Sequence, residues 1–233
     1  MEDIPGAFAG QPIRTSASAF AVLSVNVGRP NACEDGTLIP PVSLLGLQPR
    51  ARLWQSWQDT YFVMAILTLP GLVRLFPHTG SDSVHQLLDL GAIMGDGPAD
   101  ALSRAVCAAW KPAQMAKVLD RWLMERLDAT TPVPEGRRLA AAHRVLHDGG
   151  SVARAAAAAE INRRQLQRWC HRHVGVGPKP LADLERLQKS LRTVQTSQGD
   201  GAAGYSDQAH QIRTWKRRLG VTPGAYRRTG RSP

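Results

Sequence analysis

Apolar positions in the first third of the chain fall in short runs, FAVLSVNVG (20–28), VSLLGLQ (42–48) and YFVMAILTL (61–69). Segments bearing Pro, Gly or Asp separate them. Runs of this length and punctuation predict strands joined by loops, in a small barrel or a sandwich. From Ser81 the spacing changes to every third or fourth position. SVHQLLDLGAIMG (83–95), ADALSRAVCAAW (99–110) and PAQMAKVLDRWLMERL (112–127) read as helices. In the last, Met115, Val118, Leu119, Trp122, Leu123 and Leu127 fall on one stripe, expected to be core.

DATTPVPEG (128–136), with two prolines, reads as a linker. Beyond it RRLAAAHRVLHDGG (137–150) predicts a helix stopped by Gly149-Gly150. Ser151 is placed to cap the next helix, VARAAAAAE (152–160), and Asn162 a third that begins at Arg163. Only Glu160 and Ile161 precede that second cap. Helix, tight turn, helix is the order of a helix-turn-helix unit, whose second helix enters the DNA major groove. The small alanine side chains let the supporting helix approach its neighbours closely.

The segment after that turn recurs. QRWCHRHVGVGP (167–178) aligns without gaps on IRTWKRRLGVTP (212–223), 45 residues later. Arg168 meets Arg213, Arg172 meets Arg217, Gly175-Val176 meet Gly220-Val221, and Pro178 meets Pro223. Asn162 falls opposite Asp207, so each copy has a helix-capping residue at the same place. A repeat implies a second unit of the same build. KPLADLERLQKSLRTVQ (179–195) lies between them with Leu181, Leu184, Leu187, Leu191 and Val194 at helical spacing. A helix of that length, about 25 Å, predicts two reading helices about one DNA turn apart, roughly 34 Å.

Charge changes the picture of what this region meets. The chain of 233 residues carries a net charge of +10. Residues 1–131 hold 10 Lys and Arg against 12 Asp and Glu, and residues 132–233 hold 19 against 7. The whole excess lies in the C-terminal region, which points to a polyanion. Cys33, Cys107 and Cys170 are far apart and form no CxxC pair, which disfavours a disulfide framework or a cysteine-rich zinc site. On a helix His171 and His173 point in different directions, which disfavours a metal pair. No metal or cofactor is expected. The longest apolar run, 61–69, is too short to span a bilayer, no secretory signal is visible in MEDIPGAF, and no membrane partner is expected. A cytoplasmic location is the expectation.

Residues 137–228 resemble the AraC/XylS family of transcriptional regulators. SVARAAAAAEINRRQLQRWCHRHVGVGPK is similar to that family's first helix-turn-helix, and AAGYSDQAHQIRTWKRRLGVTPGAYRR to its second. The stretch from VLSVNVGRP to LVRLFPHTG is similar to the N-terminal domain of AraC-like proteins, in which a small cupin-type β-barrel precedes helices. The resemblance implies an α+β chain. Residues 1–130 form a sensory or oligomerisation domain, β-rich over 1–80 and helical over 81–127, and residues 131–136 a linker. Residues 137–233 form an all-α DNA-binding domain, with helix-turn-helix units at 151–175 and 199–220 joined by a helix at 179–195. By position, the resemblance places base-reading side chains at Arg164, Gln167 and Arg168 in the first unit, and at Gln208, Ala209, His210 and Arg213 in the second. Those types suit the task. Arginine makes two hydrogen bonds to guanine, glutamine does so to adenine, and a methyl touches thymine. Arg163, Arg172, Lys216 and Arg217 are better placed for phosphates. The expected partners are promoter DNA, RNA polymerase, an unidentified small-molecule effector and a second copy of the chain.

This sequence departs from the family pattern at several points. Glu160 stands at a usual turn glycine, Cys170 at a usual core aromatic, and Gln211 at a usual apolar position. TSQGDGAAG (196–204) is short and polar for a supporting helix, and Gly199 and Gly201 each weaken one by about 1 kcal/mol. Nearer the N-terminus, Trp54 and Trp57 are candidates to line a ligand pocket. Arg50, Arg52, His78 and His85 are candidates to meet an anionic effector. The rival classes are a non-specific architectural DNA binder and an enzyme fused to the same module, such as a DNA-alkyl acceptor. The acceptor would use Cys33 or Cys107, neither of which has a basic residue or histidine beside it in the sequence.

Overall fold

The computed structural model describes residues 12–77, 79–196 and 204–229. The strands are β1 (Pro12–Thr15), β2 (Ala21–Asn26), β3 (Ala32–Cys33), β4 (Val42–Leu45), β5 (Arg52–Gln55) and β6 (Phe62–Leu67), with β7 (Leu87–Asp89) further on. The helices are α1 (Leu69–Leu75), α2 (Gly80–Ser83), α3 (Leu90–Met94), α4 (Asp96–Cys107), α5 (Pro112–Ala129), α6 (Gly136–His147), α7 (Val152–Ala158), α8 (Arg163–Val174), α9 (Pro178–Thr196), α10 (Gln208–Leu219) and α11 (Pro223–Thr229). The chain is therefore mixed: among the described residues the sheets lie in the N-terminal region and only helices follow β7.

The strands make two antiparallel sheets, ordered β1-β5-β3 and β6-β2-β4-β7. One pair of chain segments runs through both. Ile13 sits opposite Trp54 in the first sheet, and Leu23 opposite Leu44 in the second. At the bend between the sheets, Ser18 and Gln48 exchange both backbone hydrogen bonds, at 2.8 and 3.0 Å. The inner positions alternate with partly exposed ones, as a half-buried strand requires: Ala21, Leu23 and Val25 are wholly buried. A small cluster of Trp54, Cys33 and Ile39 with Ile13, Leu45 and Leu87 joins the two sheets.

The run 83–95 departs from the helix expected there. Its middle, Leu87–Asp89, is a strand on the outer edge of β4, with Leu88 opposite Leu44, and α3 covers only Leu90–Met94. Two leucines in succession can face a sheet as well as a helix neighbour, so apolar spacing alone did not separate the two outcomes. In the other direction, α1 begins within the stretch expected to be β-rich. Thr68 accepts a hydrogen bond from the Gly71 amide, and Pro70 sits in the first turn, where its missing N–H costs nothing. Of the stripe expected to be core on α5, only Leu119 is fully buried; Met115, Val118, Trp122, Leu123 and Leu127 are half-buried.

The main core does not stop at the junction near residue 131. It runs from Leu23 and Leu44 through Leu69 and Leu72 to Leu139 and Leu146, then Leu166, Leu187 and Trp215. Arg74 on α1 donates to the carbonyls of Leu127 and Thr130 and so fastens the end of α5. Between α6 and α9 a carboxylate is enclosed. Glu185 on α9 accepts from His143 Nε2 at 2.8 Å and lies 2.9 Å from His147 Nδ1, both on α6. Burial pushes its carboxyl upward, but the hydrogen bonds and charges of the two histidines outweigh burial and hold its pKa below the usual 4.5. Among the described residues no helix is long and apolar enough to cross a membrane.

Candidate nucleic-acid interface

The first unit is α7, a turn and α8. Ser151 accepts from the Arg154 amide, and Ala155, Ala156 and Ala159 are buried, so the alanine run packs the supporting helix closely into the core. The turn keeps a left-handed residue although glycine is absent, because Glu160 adopts φ +54°. That conformation costs an ordinary residue about 1–2 kcal/mol. Asn162 then accepts from the Gln165 amide at 2.8 Å and starts α8. Leu166, Cys170 and Val174 point into the core, which leaves Arg163, Arg164, Gln167, Arg168 and Arg172 on the exposed side. Gln167 Nε2 lies 2.6 Å from His171 Nε2, and Arg172 lies 3.7 Å from Glu135.

The second unit repeats this build around α10. Asp207 accepts from the His210 amide at 2.6 Å, and that bond holds its carboxyl below the ordinary aspartate value. Gln208, Ala209, Arg213, Lys216 and Arg217 are exposed. His210 is half-buried, with Ser206 Oγ 3.2 Å from its Nδ1 and the Tyr205 ring edge-on at 5.4 Å. Both α8 and α10 end in a left-handed glycine, Gly175 at φ +77° and Gly220 at φ +72°. The segment with Gly199 and Gly201 lies outside the described residues, as does His78.

The two units differ beneath α8 and α10. Cys170 and Trp215 occupy matched positions, both buried. Trp215 fills its unit, donates to Ser190 Oγ on α9 at 3.1 Å and meets Tyr226 of α11 edge-on. Half-buried Trp169 packs against the core of the first unit beside Cys170. Burial pushes the Cys170 thiol up to about 12, so it is inert filling. Gln211, at the usual apolar position, is buried and donates to Ser190 Oγ at 3.2 Å. A single serine on α9 thus receives two side chains of the second unit, which ties α10 to the connecting helix.

Sequence reading missed how both units meet the N-terminal region. Backbone of His173 and Val174, at the end of α8, lies against Gly80 so closely that a methyl there would overlap the His173 carbonyl. At the end of α10, Arg218 Nη1 donates to the Pro49 carbonyl at 2.7 Å, and the Ala51 amide donates to the Arg218 carbonyl at 2.8 Å. His173 and Arg218 are themselves matched by the 45-residue repeat, so equivalent corners of the two units dock on one body. Nothing local in either sequence segment signals a contact more than 90 residues away.

The other N-terminal candidates divide. Trp54 is buried and donates to Thr15 Oγ1 at 2.9 Å, and it borders a cleft of about 220 Å³ with Pro12, Cys33, Glu34, Leu53 and Gln55. Trp57 instead lies under the Arg29 guanidinium, 4.2 Å away. His85 Nδ1 is 3.1 Å from Gln48 Oε1, its carbonyl accepts from Arg52, and burial with Arg52 and Arg50 nearby lowers its pKa. Cys33 has a basic neighbour that the sequence did not show, because Arg52 Nη2 comes within 3.5 Å of its sulfur across β3 and β5. Among the described residues no group of three His, Cys, Asp or Glu is arranged to hold a metal ion.

Residues 155–229 match the family profile described as "Helix-turn-helix domain". No curated protein sequence matches the chain. Solved structures that resemble it include ToxT from Vibrio cholerae at 1.65 Å resolution, with TM-score 0.51 and 11% identity over 94% of each chain. ToxT from Vibrio cholerae O395 bound to (E)-4-(8-methylnaphthalen-1-yl)but-3-enoic acid gives TM-score 0.51 and 11% identity over 96% of each chain. At that identity the likeness is one of fold.

Proposed function

Because residues 155–229 are an AraC-type helix-turn-helix domain, we propose that the protein is a transcription regulator that binds double-stranded promoter DNA through two reading helices in successive major grooves. One observation carries the reading: α8 and α10, each started by a side-chain cap, turn their cationic faces outward while their apolar faces are buried. The connecting helix α9, 19 residues and so about 28 Å long, suits a spacing of one DNA turn. Arg164, Gln167, Arg168, Gln208, Ala209, His210 and Arg213 read base edges. Arg163, Arg172, Lys216 and Arg217 hold phosphates, Arg172 exchanging Glu135 for DNA.

In this reading residues 1–130 are the sensing and dimerising domain, residues 131–136 the linker and residues 137–233 the DNA-binding domain. The two sheets, bent into each other at Ser18 and Gln48, are the cupin-like element. RNA polymerase is the partner through which bound regulator acts. The complex of ToxT with an arylbutenoic acid makes organic acids the first effectors to try. The alkyl-acceptor alternative has less support, since Cys33 is buried and the thiol of exposed Cys107 faces the Asn26 carbonyl at 3.8 Å rather than a base that could activate it.

Selection of bound genomic fragments, followed by titrations on the selected site, tests the reading. Arg168→Ala costs about 1–3 kcal/mol on that site and relaxes choice at one base pair. Lys216→Ala weakens every sequence alike and flattens the salt dependence. An equal loss for Arg168→Ala on every DNA, or a footprint spanning a single major groove, refutes the two-helix reading.

A further inference from the structure

The two copies of the 45-residue repeat are alike enough that the places where they differ are informative. Gln167, His171 and Gly177 stand where the second unit has Ile212, Lys216 and Thr222. In the first unit these residues meet. Thr222 accepts a hydrogen bond from the Ala225 amide at 3.1 Å and so starts α11. Gly177, just before α9, has no side chain for that task. A methyl there would fall 2.6 Å from Nε2 of Gln167 and 3.0 Å from its Oε1, so the carboxamide lies over the bare Cα. One turn along α8, His171 Nε2 stands 2.6 Å from the same carboxamide nitrogen, as residues four apart on a helix allow. Ile212 has no polar group to place, and the second unit has no counterpart.

Chemistry fixes the direction of the bond between Gln167 and His171. A carboxamide nitrogen donates and does not accept. The imidazole Nε2 is therefore the acceptor, and the neutral ring carries its proton on Nδ1. One N–H of Gln167 goes to His171, which leaves the other N–H beside Oε1 for a base. In the major groove adenine presents the complement of that edge, an N7 acceptor beside an N6 donor, whereas guanine presents two acceptors, N7 and O6. We propose that His171 and Gly177 are positioning residues that hold the Gln167 carboxamide one way round, so that the first unit selects adenine where Gln167 meets the groove. This rests on Gln167 being a base reader. Without the two supports the carboxamide turns over at little cost, because its terminal torsion is broad, and it then offers its NH2 to guanine instead. His171 sets the choice without touching DNA.

Sites selected from random duplexes by the full chain, then titrated with single base changes, test the proposal. Wild type prefers adenine at one position of the first unit's groove, and Gln167→Ala removes that preference, about 5- to 100-fold. His171→Ala keeps Gln167 but lowers the preference about three- to tenfold, the effect of freeing one held side chain. Gly177→Ala lowers it as well, and the choice at the position read by Arg168 is unchanged in both. His171→Gln restores the adenine preference, because its Oε1 accepts. His171→Lys, which only donates, does not restore it, although its charge tightens binding to every site. Nitrogen-15 spectra of the free protein at pH 8, assigned with His171→Gln, show His171 protonated at Nδ1. Full adenine preference in His171→Ala or Gly177→Ala, or rescue by lysine, overturns the proposal and leaves Gln167 a base reader. A ring protonated at Nε2 overturns it before any DNA is added. If Gln167→Ala alters no position, Gln167 reads nothing and the proposal falls with that reading.

Discussion

The enclosed carboxylate of Glu185 offers a quantitative test of how α9 is held. Glu185 is 7% exposed, and the side chains of His143 and His147 are 13% and 49% exposed. A hydrogen bond to a charged group contributes about 1.5–3 kcal/mol when shielded, and much less at a half-open site. Glu185→Ala removes the shielded bond and leaves the buried His143 nitrogen without its acceptor. The expected cost is about 3 kcal/mol, against about 1 kcal/mol for His147→Ala. Adding His143→Ala to Glu185→Ala restores about 1 kcal/mol relative to additivity, because no orphaned donor remains. Urea titration followed by helical circular dichroism measures wild type, the three single variants (His143→Ala included) and the double variant. The sign with pH follows from the lowered pKa. The folded carboxyl stays ionised at pH values where the unfolded one, near 4.5, takes up a proton. The stabilisation is therefore complete above about pH 5 and lost as pH falls through the lower folded value. The gap between wild type and Glu185→Ala should close over that fall. A cost within about 0.5 kcal/mol at pH 7, or a gap that widens in acid, refutes the reasoning.

Substitutions at Gly80 and Trp215, with Gly97 as a control, probe the packing around α8 and α10. Gly80→Ala forces a methyl onto the His173 carbonyl and should cost at least about 2 kcal/mol in the same titration. Gly97→Ala, in a helix position open to solvent, should be neutral or gain up to about 1 kcal/mol; equal effects at the two sites would show that the α2–α8 contact is loose. Trp215→Ala should cost about 3–5 kcal/mol, and Trp215→Phe about 1–2 kcal/mol through the lost bond to Ser190. Far-ultraviolet melting curves that coincide with wild type for both would deny Trp215 its place in the core.

The helical half was legible because its signals are local. Ser151, Asn162 and Asp207 declare helix starts within three residues of the bond that they make, and a repeat needs no knowledge of the fold to be seen. The departures were legible as well, though their resolution was not. Glu160 could be named as the odd residue in the turn, but only the backbone shows that the left-handed conformation was kept and its cost accepted. Strands such as Arg52–Gln55 and Leu87–Asp89 were missed because they are short and their partners are distant in sequence. The contacts of Gly80 with α8, of Arg218 with Pro49, and of Arg52 with Cys33 were hidden for the same reason. Each depends on how two remote segments meet, and composition carries no trace of that.

The docked corners at His173 and Arg218 have a mechanical consequence. Their seats on the N-terminal region, residues 49–51 and Gly80, are braced to each other, since the His85 amide donates to the Leu47 carbonyl at 2.8 Å and Arg52 to the His85 carbonyl at 3.3 Å. Two prongs anchored at their bases in one block behave as the jaws of a calliper. Their gap is fixed by the block as well as by the bar that joins them. Any strain that separates those two seats resets the gauge without touching a side chain on either jaw.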